Sequence, residues 1–361
     1  MRIAIIGAGP IGLEAALYAR KLGHDCVVFE RGLVAQNVSR WGFVSLFSPW
    51  TMNTTPLGWK AINAGRLTDP PNPKICPTGD ELRDRYLLPL SSSRQLQDAI
   101  RVNTTVVKIA RKGGRFEITL RDPSGAQRVE SAGAVFDCSG TYHHHRWAGR
   151  GGVPAPGERD AESRIWYELP DVIGRDRDRF IGRHTLVLGA GYSAATVLLG
   201  LEALHRENSR TRASWAIRRI GQALQALHND PLPARASLVK HSLDIANKPP
   251  SWLQYLGNCV LERIDDAKQI GVTLKYMETD LALVVDEVVA LVGYGPEQLI
   301  ETWTSPPPAA ADGLLNPEPN SFILGAKSFG TNSNFLLAVG HRQIREAFRI
   351  VTGDQNLDLY R

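Results

Sequence analysis

The apolar positions of this chain fall into short continuous runs followed by longer, helically spaced stretches, and the alternation recurs. Ile3-Ala4-Ile5-Ile6 is too short for a helix and stops at glycine, which predicts a buried strand. A helical pattern follows from Pro10 to about Leu22, then a Gly23-His24 turn and a second short apolar run over Cys26–Phe29. The same order returns past the midpoint. The run His184–Leu188 precedes an apolar helix to about His205, a polar connection over Arg206–Arg212 and a strand over Ser214–Ile217. Further runs at Val284–Val292 and Ser321–Leu324 again end in glycine, the latter ahead of a helix from about Asn334 to Val351. Strands alternating with helices predict an α/β chain with parallel sheets.

The glycines between strand and helix give the pattern its chemistry. Gly7-Ala8-Gly9-Pro10-Ile11-Gly12 is G-x-G-x-x-G between a strand and a helix. In that setting Gly7 permits the turn, Gly9 lets a pyrophosphate approach the backbone, and Gly12 lets the helix pack on the strand. The helix N-terminus then offers free N–H groups and a positive dipole end to phosphate. Glu30, at the end of the next strand, stands where a carboxylate can accept hydrogen bonds from ribose hydroxyls. A purely structural glycine turn leaves Glu30 unexplained.

In the second copy, Gly189-Ala190-Gly191-Tyr192-Ser193-Ala194, alanine replaces the third glycine. Its following strand ends in Arg218-Arg219, where a guanidinium can grip a 2′-phosphate, which favours NADPH over NADH. The competing reading of the two arginines is an exposed strand end.

Composition narrows the class. With 361 residues the chain has length for two domains, and its 43% hydrophobic and 22% charged content is that of a soluble globular protein. No apolar run approaches a membrane span, and no secretory signal precedes the first motif, so a cytoplasmic protein with no membrane association is expected. A formal charge of +5 is mild and dispersed, which argues against nucleic acid. Cys26, Cys76, Cys138 and Cys259 are widely separated and form no C-x-x-C, so neither a redox dithiol nor a zinc clamp is written here. His143-His144-His145 has no acidic partner in pattern; no metal is expected, and the cluster reads as surface or as a loop lining a cofactor cleft.

These residues resemble the superfamily of flavoproteins with two dinucleotide-binding domains, which includes thioredoxin reductases, flavin monooxygenases and N-hydroxylating monooxygenases. The resemblance covers nearly the whole chain: the FAD fingerprint with Glu30; Thr105–Ile109, like the strand whose backbone meets the FAD adenine, at Val106; Val135–Thr141, like the family's "ATG" strand, with Ser139 and Gly140; the NADPH fingerprint; and Asp286…Gly293-Tyr294-Gly295-Pro296 with Phe322…Gly325, like the two C-terminal FAD segments. It implies two Rossmann-like three-layer domains, the NADPH domain inserted in the FAD domain: residues 1–147 and 283–361 for FAD, 148–282 for NADPH, with 276–282 re-entering the first domain. It places Arg31, Arg40, Trp41, Ser48, Lys327 and Asn334 at the FAD site, Lys327 standing where the family has Gly-Asp. Ser333-Asn334-Phe335 would lie against the reduced flavin.

Arg40–Trp59 should run beneath the flavin. Trp41 and Trp50 either wall the ring or fill a loop core, and Asn53 or Ser48 either bonds the ring edge or is structural; Asn53 and Trp50 are the catalytic candidates. The missing dithiol argues against a disulfide reductase. The proline-glycine stretch Gly149–Gly157 is similar to the monooxygenase interdomain linker, although the hallmark F-x-G-x-x-x-H is absent. The implied function is an NADPH- and O2-dependent monooxygenase acting on a small molecule, with oxygen adding at flavin C4a. The alternatives are a reductase or oxidase passing electrons to a quinone, a small acceptor or a partner protein, and a nucleotide-sensing protein without turnover.

Overall fold

The computed structural model describes residues 1–63, 71–218, 224, 226–277, 279–297, 299, 314–330, 332 and 334–361. The chain forms two compact units, residues 1–144 with 295–361, and residues 145–294.

The first unit is built on a six-stranded sheet ordered Leu315–Glu318, Ser321–Ile323, Ala134–Asp137, Arg2–Ile6, Asp25–Phe29 and Ile100–Arg101, parallel except at its first pair. Side chains alternate across it as a two-residue repeat requires. Ile3, Ile5, Cys26 and Val28 pack with the helices Pro10–Lys21 and Leu337–Thr352, whereas Ala4, Ile6, Val27 and Phe29 pack with Ile109, Phe116, Ile118 and Leu120 of an antiparallel sheet. That sheet consists of Thr105–Lys112, Arg115–Arg121 and Gln127–Ala132. Both faces are therefore dry, which is why these strands read as unbroken apolar runs.

The second unit repeats the three layers. Its parallel sheet is ordered Leu253–Leu256, Arg212–Ala216, His184–Leu188, Glu287–Ala290 and Ile165–Trp166. Leu186, Leu188, Val288 and Ala290 face the antiparallel sheet of Cys259–Asp266, Ile270–Tyr276 and Thr279–Val285; Val187, Trp215 and Val289 share a core with Val197, Leu198 and Leu201 of the helix Tyr192–Glu207.

The expected domain boundary at 282/283 needs correction. Thr279–Val285 pairs with Ile270–Tyr276, and Glu287–Ala290 pairs with His184–Leu188, so both strands belong to the second unit and the chain returns to the first at Gly295. Asp286 fixes the register by accepting from the His184 N–H at 2.9 Å, and Glu287 holds Arg179 through two hydrogen bonds and the Trp166 indole at 2.9 Å. An apolar strand buried on both faces reads alike in either sheet; these flanking carboxylates decide between them.

The Glu14 carboxyl lies wholly inside the first unit. Glu14, on the Pro10–Lys21 helix, accepts from the Tyr86 hydroxyl and from Thr55 Oγ1 at 3.1 Å. Burial pushes its pKa up to about 7, against the opposing pull of those hydroxyls. Because the folded value exceeds the unfolded one, the stability tied to Glu14 is complete below about pH 4.5 and is lost as pH rises through about 7. Urea denaturation of the wild type and Glu14→Gln should therefore diverge in pH dependence, by about 3 kcal/mol between pH 4 and 8. Parallel pH profiles would contradict this.

Candidate functional site

The first cradle lies at the carboxyl ends of Arg2–Ile6 and Ala134–Asp137, where the sheet's connections diverge to opposite sides; ligands of such sheets bind at this kind of crevice. Gly7 has φ +99°, and a Cβ there would meet the Cys138 carbonyl at 2.8 Å. A Cβ on Gly12 would stand 1.9 Å from the Gly7 carbonyl oxygen, so helix and turn touch backbone to backbone. A Cβ on Gly9 would meet nothing within 4 Å. Gly9 caps the helix without any side-chain hydrogen bond and Pro10 opens it, so the N–H groups of the first turn face that open space uncapped. Gly140, at φ +70° with nothing within 4 Å of its Cβ direction, borders the same strand ends. An open backbone cradle with uncapped donors fits a pyrophosphate.

Glu30 accepts from the Ala8 N–H at 2.7 Å and the Gly32 N–H at 2.9 Å, one through each carboxylate oxygen. Each oxygen retains a further acceptor site, the number two ribose hydroxyls would need. Arg31 pairs with Glu297 at 2.5 Å, and the same Glu297 oxygen meets His144 Nε2 at 3.1 Å. His143 lies beside Asn37 at 3.3 Å, its pKa lowered to about 4 by burial and by Arg31 and Arg40. The ring of His145 stacks on Tyr167 at 3.8 Å. The three histidines thus take separate partners, and no group of three or more His, Cys, Asp or Glu that could hold a metal occurs among the described residues.

Other expected residues sit around this cradle in unequal ways. Val106 is buried in the core beneath the antiparallel sheet, with a register shift just after it. Ile11 packs its side chain against Gly325 and Gly340, where added Cβ atoms would stand 3.3 and 2.3 Å from it. Ile11 thereby locks the first helix to the C-terminal segment, a role that G-x-G-x-x-G does not announce. Trp41 leaves its buried indole N–H without a partner among the described residues, and Arg40 beside it is half-buried. Lys327 is buried against Asp137 and Ser139. Asn334 lies exposed ahead of the last helix, which begins at Leu337; Ser333 is outside the described residues.

Ser48, Asn53 and Trp50, the ring-edge and catalytic candidates, lie together in a tightly packed loop. Ser48 Oγ donates to Asn53 Oδ1 at 2.8 Å, while the Asn53 amide donates to the carbonyls of Ser48 and Pro49 at 2.7 and 3.0 Å. Asn53 is 1% exposed and Trp50 3%, the latter packed against Trp59. The Ser48 and Asn53 side chains thus hydrogen-bond within their own loop.

The second cradle repeats the first on the His184–Leu188 strand. Gly189 has φ +128°, with a Cβ direction 2.2 Å from the Leu291 carbonyl; its own carbonyl accepts from the Trp215 indole at 2.8 Å. Gly191 caps the helix without a side-chain hydrogen bond, and nothing lies within 4 Å of its Cβ direction. Tyr192 and Ser193 form the first turn, and Ala194 is fully buried against the core. Arg218 stands exposed just past the Arg212–Ala216 strand; Arg219 is outside the described residues. In the following insertion, Arg235 and Asp230 form a bidentate pair at 2.7 and 2.8 Å. The Gly149–Gly157 linker is organised by Glu158, fully buried and accepting from the N–H groups of Ala148 and Ala155, each at 2.7 Å.

All four cysteines are free. Cys138 is nearest the first cradle, but burial and the neighbouring Asp137 hold its thiol well above the ordinary range, so it stays protonated.

A profile of the pyridine nucleotide-disulphide oxidoreductase family matches residues 4–301, most of the chain. The chain belongs to that family. This oxidoreductase is 26% identical over 375 residues to a ferredoxin–NADP reductase of Ralstonia pickettii, spanning 98% of this chain and 89% of the relative. It is 25% identical over 235 residues to an Arabidopsis thaliana flavin-containing monooxygenase, spanning 57% of this chain and 48% of that protein. Its fold matches bacillithiol disulfide reductase from Bacillus cereus with a TM-score of 0.72 and 18% identity, over 98% and 100% of the two chains.

The glycines separate fold from ligand. Gly12→Ala drives a Cβ into backbone and should destabilise the protein by about 3 kcal/mol. Gly9→Ala should leave the melting temperature nearly unchanged yet weaken dinucleotide binding at least tenfold. Thermal melts paired with ligand titration check both; equal effects of the two substitutions on melting would contradict this account.

Proposed function

We propose that this oxidoreductase holds FAD in the Gly7–Gly12 cradle and binds NADPH at the Gly189–Ala194 cradle, and that it passes electrons to an acceptor outside the chain. The observation that carries this is the pair of open, uncapped glycine cradles with opposite charges at the ribose-reading position: Glu30 in the first unit and Arg218 in the second. A carboxylate suits two free hydroxyls, whereas a guanidinium suits a 2′-phosphate. FAD held there would supply the capacity to accept a hydride from NADPH and pass the electrons on. The protein's part is to bind, orient and exclude water. Gly9 and Gly191 admit the phosphates, Glu30 fixes the ribose, and Arg218 selects the phosphorylated nucleotide.

The sequence has no C-x-x-C, which argues against an internal disulfide as the acceptor. Two findings favour electron transfer over oxygenation. Ser48 and Asn53 hydrogen-bond within their own loop and Trp50 is buried, which supports a packing role for all three. The ferredoxin–NADP reductase relative also spans almost the whole chain, whereas the monooxygenase relative spans little more than half. That part-length resemblance keeps a second reading, an NADPH- and O2-dependent monooxygenase of a small molecule.

Anaerobic stopped-flow with NADPH should bleach the flavin band, and a quinone or a one-electron protein acceptor should restore it much faster than air. Stoichiometric oxygenation of a small molecule in air would favour the second reading and contradict the first. Arg218→Ala should raise the KM for NADPH about tenfold or more while leaving NADH kinetics unchanged. An unaltered preference for NADPH would contradict the assignment of Arg218.

A further inference from the structure

A buried ion pair closes the first crevice from the side opposite Glu30. Lys327 is 4% exposed and Asp137 1%. Lys327 Nζ lies 2.6 Å from Asp137 Oδ2 and 3.0 Å from Ser139 Oγ. Ser139 donates in turn to Asp137 Oδ1, from its hydroxyl at 2.6 Å and its N–H at 3.1 Å. These contacts engage two of the three ammonium protons, and the third has no partner among the described residues.

The position of the cluster matters as much as its charge. Asp137 is in register with Ile6, the residue before Gly7, and with Ile323, two residues before Gly325. The pair therefore sits where three parallel strands end together, at the crevice where such sheets take their ligand. Burying an ion pair seldom stabilises a fold beyond what apolar packing would give, so its retention here calls for another reason. Asp137 alone would set a carboxylate beside a pyrophosphate carrying two negative charges. Lys327 cancels that repulsion and has one donor left.

Resting on the FAD reading of this cradle, we propose that Lys327 is a cofactor-binding cation: Asp137 and Ser139 hold its ammonium so that its remaining donor meets the pyrophosphate. Asp137 acts as a positioning residue through it; the resemblance placed Lys327 at this site, but not its pairing with Asp137, 190 residues away.

The test is FAD binding to deflavinated wild type, Lys327→Met, Asp137→Asn and the double variant, followed by flavin fluorescence at two ionic strengths. Lys327→Met leaves a buried carboxylate unpaired and is open to misfolding; the double variant removes both charges with little change in shape and keeps the test decisive. We expect the single lysine variant and the double variant both to bind FAD at least tenfold more weakly than wild type, with a flatter salt dependence. Wild-type affinity in the double variant would mean that Lys327 serves only to neutralise Asp137, and would overturn the proposal. So would unchanged affinity in Lys327→Met. A wild-type chain that takes up no FAD at all would instead overturn the flavin reading, and this inference with it.

Discussion

The approach of the first helix to the strand ahead of it is the constraint from which the rest of the first site follows. No side chain fits between Gly12 and the Gly7 carbonyl, so the helix meets the turn directly and its uncapped N–H groups stand over the ends of the central strands. That placement leaves Gly9 facing open space, brings Glu30 to the next strand's end, and lets Ile11 lock against Gly325 and Gly340 of the C-terminal segment. The second unit solves the same problem with Gly189 against the Leu291 carbonyl, and with alanine in place of the third glycine. A helix dipole over a glycine cradle is a general anion site. What differs between the two is the side chain past the second strand, Glu30 in one unit and Arg218 in the other.

The parts of the fold that were legible in the sequence are those whose signal is local. Each fingerprint packs turn, helix start and strand end into about thirty residues, and both parallel strands around each cradle are buried on two faces, so their apolar runs stand out. The boundary between the units was misread because Glu287–Ala290 is apolar in the same way; its place is set by Asp286 and Glu287, whose partners His184, Trp166 and Arg179 lie far away in the chain. The aromatic segment Arg40–Trp59 was ambiguous for a different reason. An aromatic-rich loop with Ser48 and Asn53 carries the same letters whether it walls a ligand or closes on itself, and its hydrogen bonds run within the loop.

Buried charge is the other thread. Glu14, Glu158, Asp137 and Lys327 are all buried polar residues that a sequence reading assigns to the surface. Glu158 is satisfied by backbone N–H groups together with the Tyr167 hydroxyl, and orders a linker. Glu14 is satisfied by hydroxyls and holds its proton near neutrality. Asp137 and Lys327 satisfy each other at the mouth of a ligand crevice. The same chemical problem, an ionisable group out of water, thus has three solutions, and the last stands at the ends of the central strands.

The central claim is that the two cradles have unequal roles, the first holding FAD and the second exchanging NADPH. Titrating the flavin-loaded protein with NADP+, while following the visible flavin spectrum and then assaying the flavin released on denaturation, tests it most directly. The account predicts one FAD per chain and saturable NADP+ binding that displaces none of it. A chain that carries no FAD, or one from which NADP+ expels FAD in competition for the first cradle, would contradict it.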